Sequence, residues 1–389
     1  MRKKIIFVCN NLHIGGIQRS LVNLLSEISG RYDVTLFLFS LEGDYTVPEN
    51  VRVIAANRAV RILGMSQAEA NAAGFLTGIW RGAFATLTRI TGCALPFRIL
   101  TGFQKLPEEY DAAVSFMQNS AFRYFYGGCN EFVIRSVRAK RKISFVHCDF
   151  EHYFGNNRYN RAFYRNFDVI ACVSDSCRAV FNRVCPELSP KTAVVHNCFD
   201  YDEIRSLSEE YTARRTEGRL NLFTAARISP EKGILRMMGI LQGLKEQGLS
   251  FVWRIAGDGE QMEECRAECQ SRGLSDCVHF LGLFNNPYPY FKAADLILVP
   301  SYDEAAPMVF GEAAALGVPV LTTNTVSAVE LVQKRNAGFV CENSEEGIRQ
   351  TLKTLLENPE CVYQGRYAPA GDNAVALAEF DAVICGGTL

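Results

Sequence analysis

The chain lacks the marks of several specialised protein classes. None of its 14 cysteines forms a Cys-x-x-Cys pair, so neither a zinc ribbon nor a thioredoxin-type redox pair is present. Neither charge is in excess: 41 Lys and Arg stand against 42 Asp and Glu, which gives no global reason to bind nucleic acid. No stretch reaches the roughly 18–20 apolar residues that a membrane-crossing helix needs. The early run IIFVC is too short for a signal peptide, and polar NNLH (10–13) breaks into it. With 48% hydrophobic and 21% charged residues, the composition excludes disorder and fits a globular protein. At roughly 150 residues per domain, the length of 389 suggests two or three domains. Cys9, Cys172 and Cys341 fall in strand-like apolar runs, where thiols sit buried and inert. A reducing cytoplasm is the expected location.

What the chain does have is unevenly placed. Residues 1–200 carry 24 Lys/Arg and 16 Asp/Glu, whereas residues 201–389 carry 17 and 26. Such asymmetry between halves points to two domains with different partners. Short apolar runs mark strand candidates in both halves: IIFVC, DVTLFLF, AAVSF, ISFV, DVIACV and TAVV, then LNLFTAA, FVWRIAG, VHFLG, DLILVP, VPVLTT and AGFVC. Helical patterns separate most of them. In IQRSLVNLLSEI, for example, Ile17, Leu21, Leu24, Leu25 and Ile28 share one helix face. Buried strands alternating with helices predict an α/β chain with parallel sheets covered on both faces. The expected architecture is two facing Rossmann-like domains with a cleft between them. The first spans 1–198 and is completed by a last helix within 372–389. The second spans 199–371, with the boundary near HNCFDYDE (196–203).

Three strand-to-helix junctions carry the chemistry. In parallel sheets, ligands bind at the carboxyl ends of strands, beside helix amino termini that suit phosphate. The first junction is Gly15-Gly16, where paired glycines permit close ligand approach or simply make a tight turn. The second is TAARISPEKGILRMM, with Ser229 and Pro230 read as N-cap and first helical residue, and Lys232 in the first turn. A cation there opposes the helix dipole, so Arg227 and Lys232 suggest a clamped diphosphate; two solvated surface cations are the plainer account. The third is DLILVPSYDEAAPMVFGEAAALGVPVLTT, with Pro307 opening a helix that Gly317 and Pro319 close. Glu304 falls in the loop and Glu312 on the helix, in an apolar context where a carboxylate needs a partner.

These pieces, in this order, resemble the retaining glycosyltransferases of family 4, which have the GT-B fold. The matching segments are GGIQRSL (15–21), ARISPEKG (226–233), IAGDGE (255–260), FLG (280–282), PSYDEAAPMVFGEAAALGVPV (300–320) and AGFVCEN (337–343). VSDSCRAVF (173–181) and VVHNCFD (194–200) add to them, while residues 56–135 match nothing. The resemblance implies roles. Glu312 would bind the ribose hydroxyls of a nucleotide-sugar donor, and Glu304 would sit beside the donor sugar. Arg227 and Lys232 would hold the diphosphate and stabilise it as leaving group. Gly15 and Gly16 would contact donor phosphate, and His147 would meet the sugar's 6-hydroxyl at the reaction centre. The backbone of Gly257, Asp258 and Gly259, of Leu283, and of Ala306, Pro307, Met308 and Val309 would complete the nucleotide-sugar site. The sequence departs from the family at Ala305-Ala306, where many members carry Gly and a small or polar residue. Ala keeps those N–H groups in place only with negative φ.

The chemistry also stands without the family. Breaking an anomeric C–O bond puts charge on the departing diphosphate, and fixed cations stabilise that charge. Arg227 and Lys232 can do what a divalent metal does elsewhere, so no metal and no cofactor is expected; the donor is a UDP- or GDP-sugar. The acceptor would be a glycan or lipid-linked saccharide, in cell-surface polysaccharide synthesis. Another GT-B enzyme, such as a nucleotide-sugar epimerase, and a non-catalytic nucleotide-sugar-binding module are the alternatives. His13 could also reach the site, and Glu330 could cap a helix or approach the nucleotide. His279 reads as structural, and Cys265 and Cys269 as metal-free. Residues 56–105 hold Arg58, Arg61, Arg81, Arg89, Arg98 and Lys105 with one acid, Glu69, and RSVRAKRK (135–142) adds five basic residues. With the apolar stretches between, this suggests an amino-terminal surface for anionic membrane, on the cytoplasmic face; an ordinary domain surface is the alternative.

Overall fold

The computed structural model describes residues 2–364 and 371–386. They fold into two units. Residues 1–198 and 373–389 form one, and residues 199–372 the other. The first unit holds seven strands: β1 (Lys4–Cys9), β2 (Asp33–Leu38), β3 (Arg52–Ala55), β4 (Glu109–Ser115), β5 (Arg138–Val146), β6 (Val169–Cys172) and β7 (Thr192–Val194). The second holds six: β8 (Leu220–Ala225), β9 (Phe251–Ala256), β10 (Val278–Gly282), β11 (Leu296–Val299), β12 (Val320–Thr323) and β13 (Gly338–Cys341).

All pairings within the sheets are parallel. The orders are β3-β2-β1-β4-β5-β6-β7 and β10-β9-β8-β11-β12-β13. Each is the doubly wound order, in which the chain first builds one side of the sheet and then crosses to the other. The loops leaving the two central strands therefore diverge to opposite faces and open a crevice: at β1/β4 in the first unit and at β8/β11 in the second. Every apolar run named above became a strand. The unforeseen strand is β3 (RVIA), a short edge strand whose residues are mostly exposed.

The second junction differs from its sequence reading. Pro230–Lys232 form a single 3-10 turn, and the following helix starts at Met237. Ser229 makes no cap; its hydroxyl bonds Glu231 Oε1 at 2.7 Å. The break comes from Gly233, which sits at φ 66° with its Cα against the Pro300 carbonyl; an added Cβ would lie 2.0 Å from that oxygen. Lys232 is thus displayed on a tight turn and not in a helix's first turn, so the dipole argument for it falls away. At the third junction Pro307 is the N-cap, one residue before the helix Met308–Ala315.

The last helix, Ala374–Cys385, packs on the first unit's core. Phe380 stacks on Phe7 of β1 at 6.0 Å, and the ring edge of Tyr32 meets it at 6.1 Å. Asp381 accepts from the Tyr32 hydroxyl at 2.6 Å, and Glu379 accepts from the His196 backbone N–H at 2.9 Å. Fully buried Phe380 should be the anchor. Phe380→Ala should cost about 3–5 kcal/mol of the first unit's stability in urea unfolding; an unchanged midpoint would show that this helix is dispensable.

Candidate active site in the carboxyl-terminal unit

Two of the charged residues singled out in the sequence, Lys232 and Glu304, meet at the crevice between β8 and β11. Lys232 Nζ lies 2.6 Å from Glu304 Oε1, and the Ser301 hydroxyl donates to the same oxygen at 2.8 Å. Their side chains are 22% and 11% exposed, so the pair is partly withdrawn from water and its Coulomb attraction is less screened than at a free surface. An ammonium has three donors, so two remain for anionic oxygens. Arg227 is exposed and makes no direct contact with Lys232 or Glu304; it is near enough to Glu231 to help hold that carboxyl below its usual range. Glu312 is on the helix that follows, and its Oε1 accepts from Tyr288 Oη at 3.2 Å. Lys232 and Glu304 are therefore joined directly, whereas Arg227 and Glu312 share only the same strand ends.

Two features fix these loops. Gly257, at φ 135°, lets β9 leave the sheet hard against the Ala226 carbonyl, which an added Cβ would approach to 1.9 Å. Ile228 N–H then donates to Asp258 O at 2.9 Å, and Asp258 Oδ1 accepts from Gly259 N–H at 2.7 Å, so the Arg227 loop is tied to the Gly257–Gly259 loop. The second feature was missed in the sequence. Arg236, 7% exposed, donates to Pro300 O at 2.9 and 2.5 Å, to Ser301 O at 2.9 Å and to Asn343 Oδ1 at 3.0 Å. Its guanidinium lies 3.8 Å from the Tyr302 ring centroid. It stitches down the loop that presents Glu304. An arginine four residues after a lysine looks like helix surface, and nothing in its spacing reveals a buried role. Ala305 and Ala306 are not among the positive-φ residues, so alanine keeps the backbone there without strain. Met308 is buried, Val309 half-buried and Leu283 65% exposed.

In the first unit, Gly15 and Gly16 follow β1 and open the helix Gly16–Ile28. Gly15 is extended, and an added Cβ would meet the flexible Gln18 side chain at 2.6 Å and the His13 carbonyl at an ordinary 3.9 Å. The protein's own backbone gives no reason for glycine there. His147 follows β5, its ring between Phe116 at 4.7 Å and Phe145 at 5.6 Å. Burial pulls its pKa down to about 3, against a weaker opposing bond to the Phe116 backbone. It is neutral near pH 7, with a buried Nε2 that has no protein partner.

The remaining candidates divide. His13 Nε2 is 2.7 Å from Glu69, which ties its loop to a neighbouring helix cap. Glu330 lies in a short π-helical turn, Val329–Gln333. Cys265 and Cys269 are buried in the second unit's core. The described residues hold no group of three His, Cys, Asp or Glu placed for a metal. The sequence carries one Asp-x-Asp, Asp200-Tyr201-Asp202. Its geometry is that of a helix start: Asp200 caps the helix Tyr201–Leu207 by accepting from Glu203 N–H at 2.8 Å. Of the basic residues expected at the surface, three are engaged within the fold. Arg81 is buried, Lys140 pairs with Asp111 at 2.8 Å, and Lys142 donates to Ile134 O at 2.9 Å.

Known proteins resemble this chain in part of its sequence and in its fold. Residues 212–370 match the family model described as glycosyl transferases group 1. An uncharacterized glycosyltransferase of Haemophilus influenzae is 30% identical over 135 residues, covering 34% of this chain and 38% of the relative. The lipopolysaccharide glucosyltransferase WaaG of Escherichia coli is 32% identical over 132 residues, covering 33% and 34%. The chain thus spans little more than a third of each curated relative. Among solved structures, HepE of Anabaena in complex with UDP and glucose superposes with a TM-score of 0.65 at 18% identity, covering 98% of this chain and 96% of that one. Such likeness shows the fold, which is that of GT-B glycosyltransferases.

Two outcomes follow. A neutral buried histidine must gain a proton when the chain unfolds in acid, so its contribution is intact above the unfolded pKa of about 6.5 and is lost as pH falls toward 3. His147→Gln should therefore flatten the loss of stability between pH 6.5 and 4, read by thermal melts across pH; a profile parallel to wild type would contradict the burial argument. Arg236→Ala should strand two carbonyls and lower stability by about 2–3 kcal/mol or more, measured by urea unfolding.

Proposed function

We propose, from the match of residues 212–370 to the group 1 glycosyltransferases and from the GT-B fold, that this chain is a retaining, metal-independent glycosyltransferase of the family 4 type. It would move a sugar from a nucleoside-diphosphate donor to a glycan or lipid-linked saccharide on the cytoplasmic side, in polysaccharide or lipopolysaccharide synthesis. The observation that carries the reading is the Lys232–Glu304 contact of 2.6 Å at the crevice where β8 and β11 part.

Lys232 offers its two remaining N–H groups to the donor diphosphate, and exposed Arg227 adds a second cation. As the anomeric C–O bond breaks, negative charge grows on the phosphate oxygens. Cations already in place stabilise that charge more than the ground state, which lowers the barrier. Glu304 keeps Lys232 oriented through Oε1 and leaves Oε2 to accept from sugar hydroxyls. Glu312, steadied by Tyr288, accepts from the ribose hydroxyls. The new glycosidic bond then forms on the face the phosphate leaves, and the acceptor hydroxyl's proton passes to the departing phosphate oxygen. The UDP and glucose in the HepE complex and the glucosyltransferase name of WaaG favour a UDP-hexose donor.

A panel of UDP- and GDP-sugars, assayed for nucleotide release with and without acceptor, tests this reading. Lys232→Ala and Arg227→Ala should each lower kcat by about 10²–10³-fold. Glu312→Ala should chiefly raise the donor KM. Activity should survive a chelator, and NMR of the product should show the donor's anomeric configuration kept. Turnover by Lys232→Ala at the wild-type rate would remove the proposed leaving-group role, and an inverted product would remove the front-face mechanism.

A further inference from the structure

The helix Phe75–Thr91 is built inside out. Its one buried charge, Arg81, points inward and donates Nε to Met65 O at 2.6 Å, Nη1 to Gln67 Oε1 at 3.2 Å and Nη2 to Phe125 O at 3.4 Å. Those bonds hold the helix's rotation about its axis. Pinned this way, the opposite face turns its large apolar side chains to solvent. Phe75 is 81% exposed, Leu76 72% and Trp80 52%, with Ile79 and Ile90 on the same side. Positions 75, 79 and 80 and their i+4 relatives form one stripe. The next helix, Ala94–Gly102, packs beside it and adds Leu95 and Ile99, followed by Phe103. Eight of the 19 exposed large hydrophobic residues among the described ones fall within residues 75–103, so they form a concentrated face and not a scatter.

The charge around this face selects its occupant. From Ala70 to Pro107 the chain has no Asp or Glu, while Arg89 and Arg98 are exposed at the patch. A second copy of the chain, docked about a twofold axis, would bring identical cations toward each other. An anionic bilayer accepts both components at once: apolar side chains enter the acyl boundary, tryptophan sits at the interface, and arginines meet headgroup phosphates. We propose that the segment 75–103 is a membrane-docking face. Phe75, Leu76, Ile79 and Trp80 insert into the interface, and Arg89 and Arg98 hold anionic headgroups. In the basic run 135–142, Lys140 pairs with Asp111 and Lys142 donates to a backbone carbonyl, while Arg135 and Arg138 stay exposed. This inference does not depend on the activity proposed above, and its test needs no turnover.

The experiment is flotation of the full chain with phosphatidylcholine vesicles, with and without phosphatidylglycerol. Wild type should float with the anionic vesicles and be partly released by salt. Leu76→Glu/Trp80→Glu should stay unbound, while keeping the wild-type melting temperature because both side chains are already exposed. Arg89→Ser/Arg98→Ser should weaken binding roughly tenfold or more. The chain has two tryptophans, and Trp253 is fully buried, so a blue shift on adding vesicles reports Trp80. Failure of wild type to float with either vesicle would overturn the proposal, as would flotation of Leu76→Glu/Trp80→Glu like wild type. So would a dimer in light scattering that this double variant dissolves, which would mean that a second copy covers the face.

Discussion

One ion pair organises the second unit's site. Lys232 and Glu304 stand on loops that leave neighbouring strands, β8 and β11, at the point where the chain changes direction across the sheet. They are 72 residues apart in sequence and 2.6 Å apart in space. Half-withdrawn from water, each charge needs the other, and the contact draws the two loops together. Everything else in the crevice serves that meeting. Gly233 lets the Lys232 turn press on Pro300, and Arg236 ties Pro300 and Ser301 from beneath. Ser301 then shares the carboxylate oxygen with Lys232.

The same economy governs the glycines. Gly257 permits two backbones to approach so closely that any side chain would collide, which ties the Arg227 loop to the loop after β9. Gly15 is different, because no backbone crowds it. His147 reflects a related principle: its ring is packed between two phenylalanines, so burial suppresses its charge and leaves one nitrogen to hydrogen-bond as a neutral group.

The first unit shows how little charge counts say about surfaces. Residues 135–142 look like a basic patch, yet Lys140 and Lys142 are spent on Asp111 and a backbone carbonyl. Arg81, counted with the surface cations, instead anchors the helix on which it lies. Its inward turn puts Phe75, Leu76 and Trp80 outside. Composition and helical spacing are identical whichever face turns outward, so this inversion could not be read from residue order.

The strands were legible because parallel strands buried on both faces read as short continuous apolar runs. Only β3, a short and mostly exposed edge strand, went unforeseen. Glu304, Glu312, Arg227 and Lys232 stood out because charged residues beside strand ends and helix starts are physically conspicuous. Arg236 was not, since a buried arginine and a surface arginine are the same letter. The 3-10 turn at Pro230 was also hidden, because it results from the Pro300 carbonyl lying against Gly233, a contact between segments far apart in the chain. Local order therefore determined which strands and helices form and which loops carry charge. Tertiary packing alone decided which of those charges meet, because contact across the crevice depends on strand order and close backbone approach, neither of which is a property of any one segment.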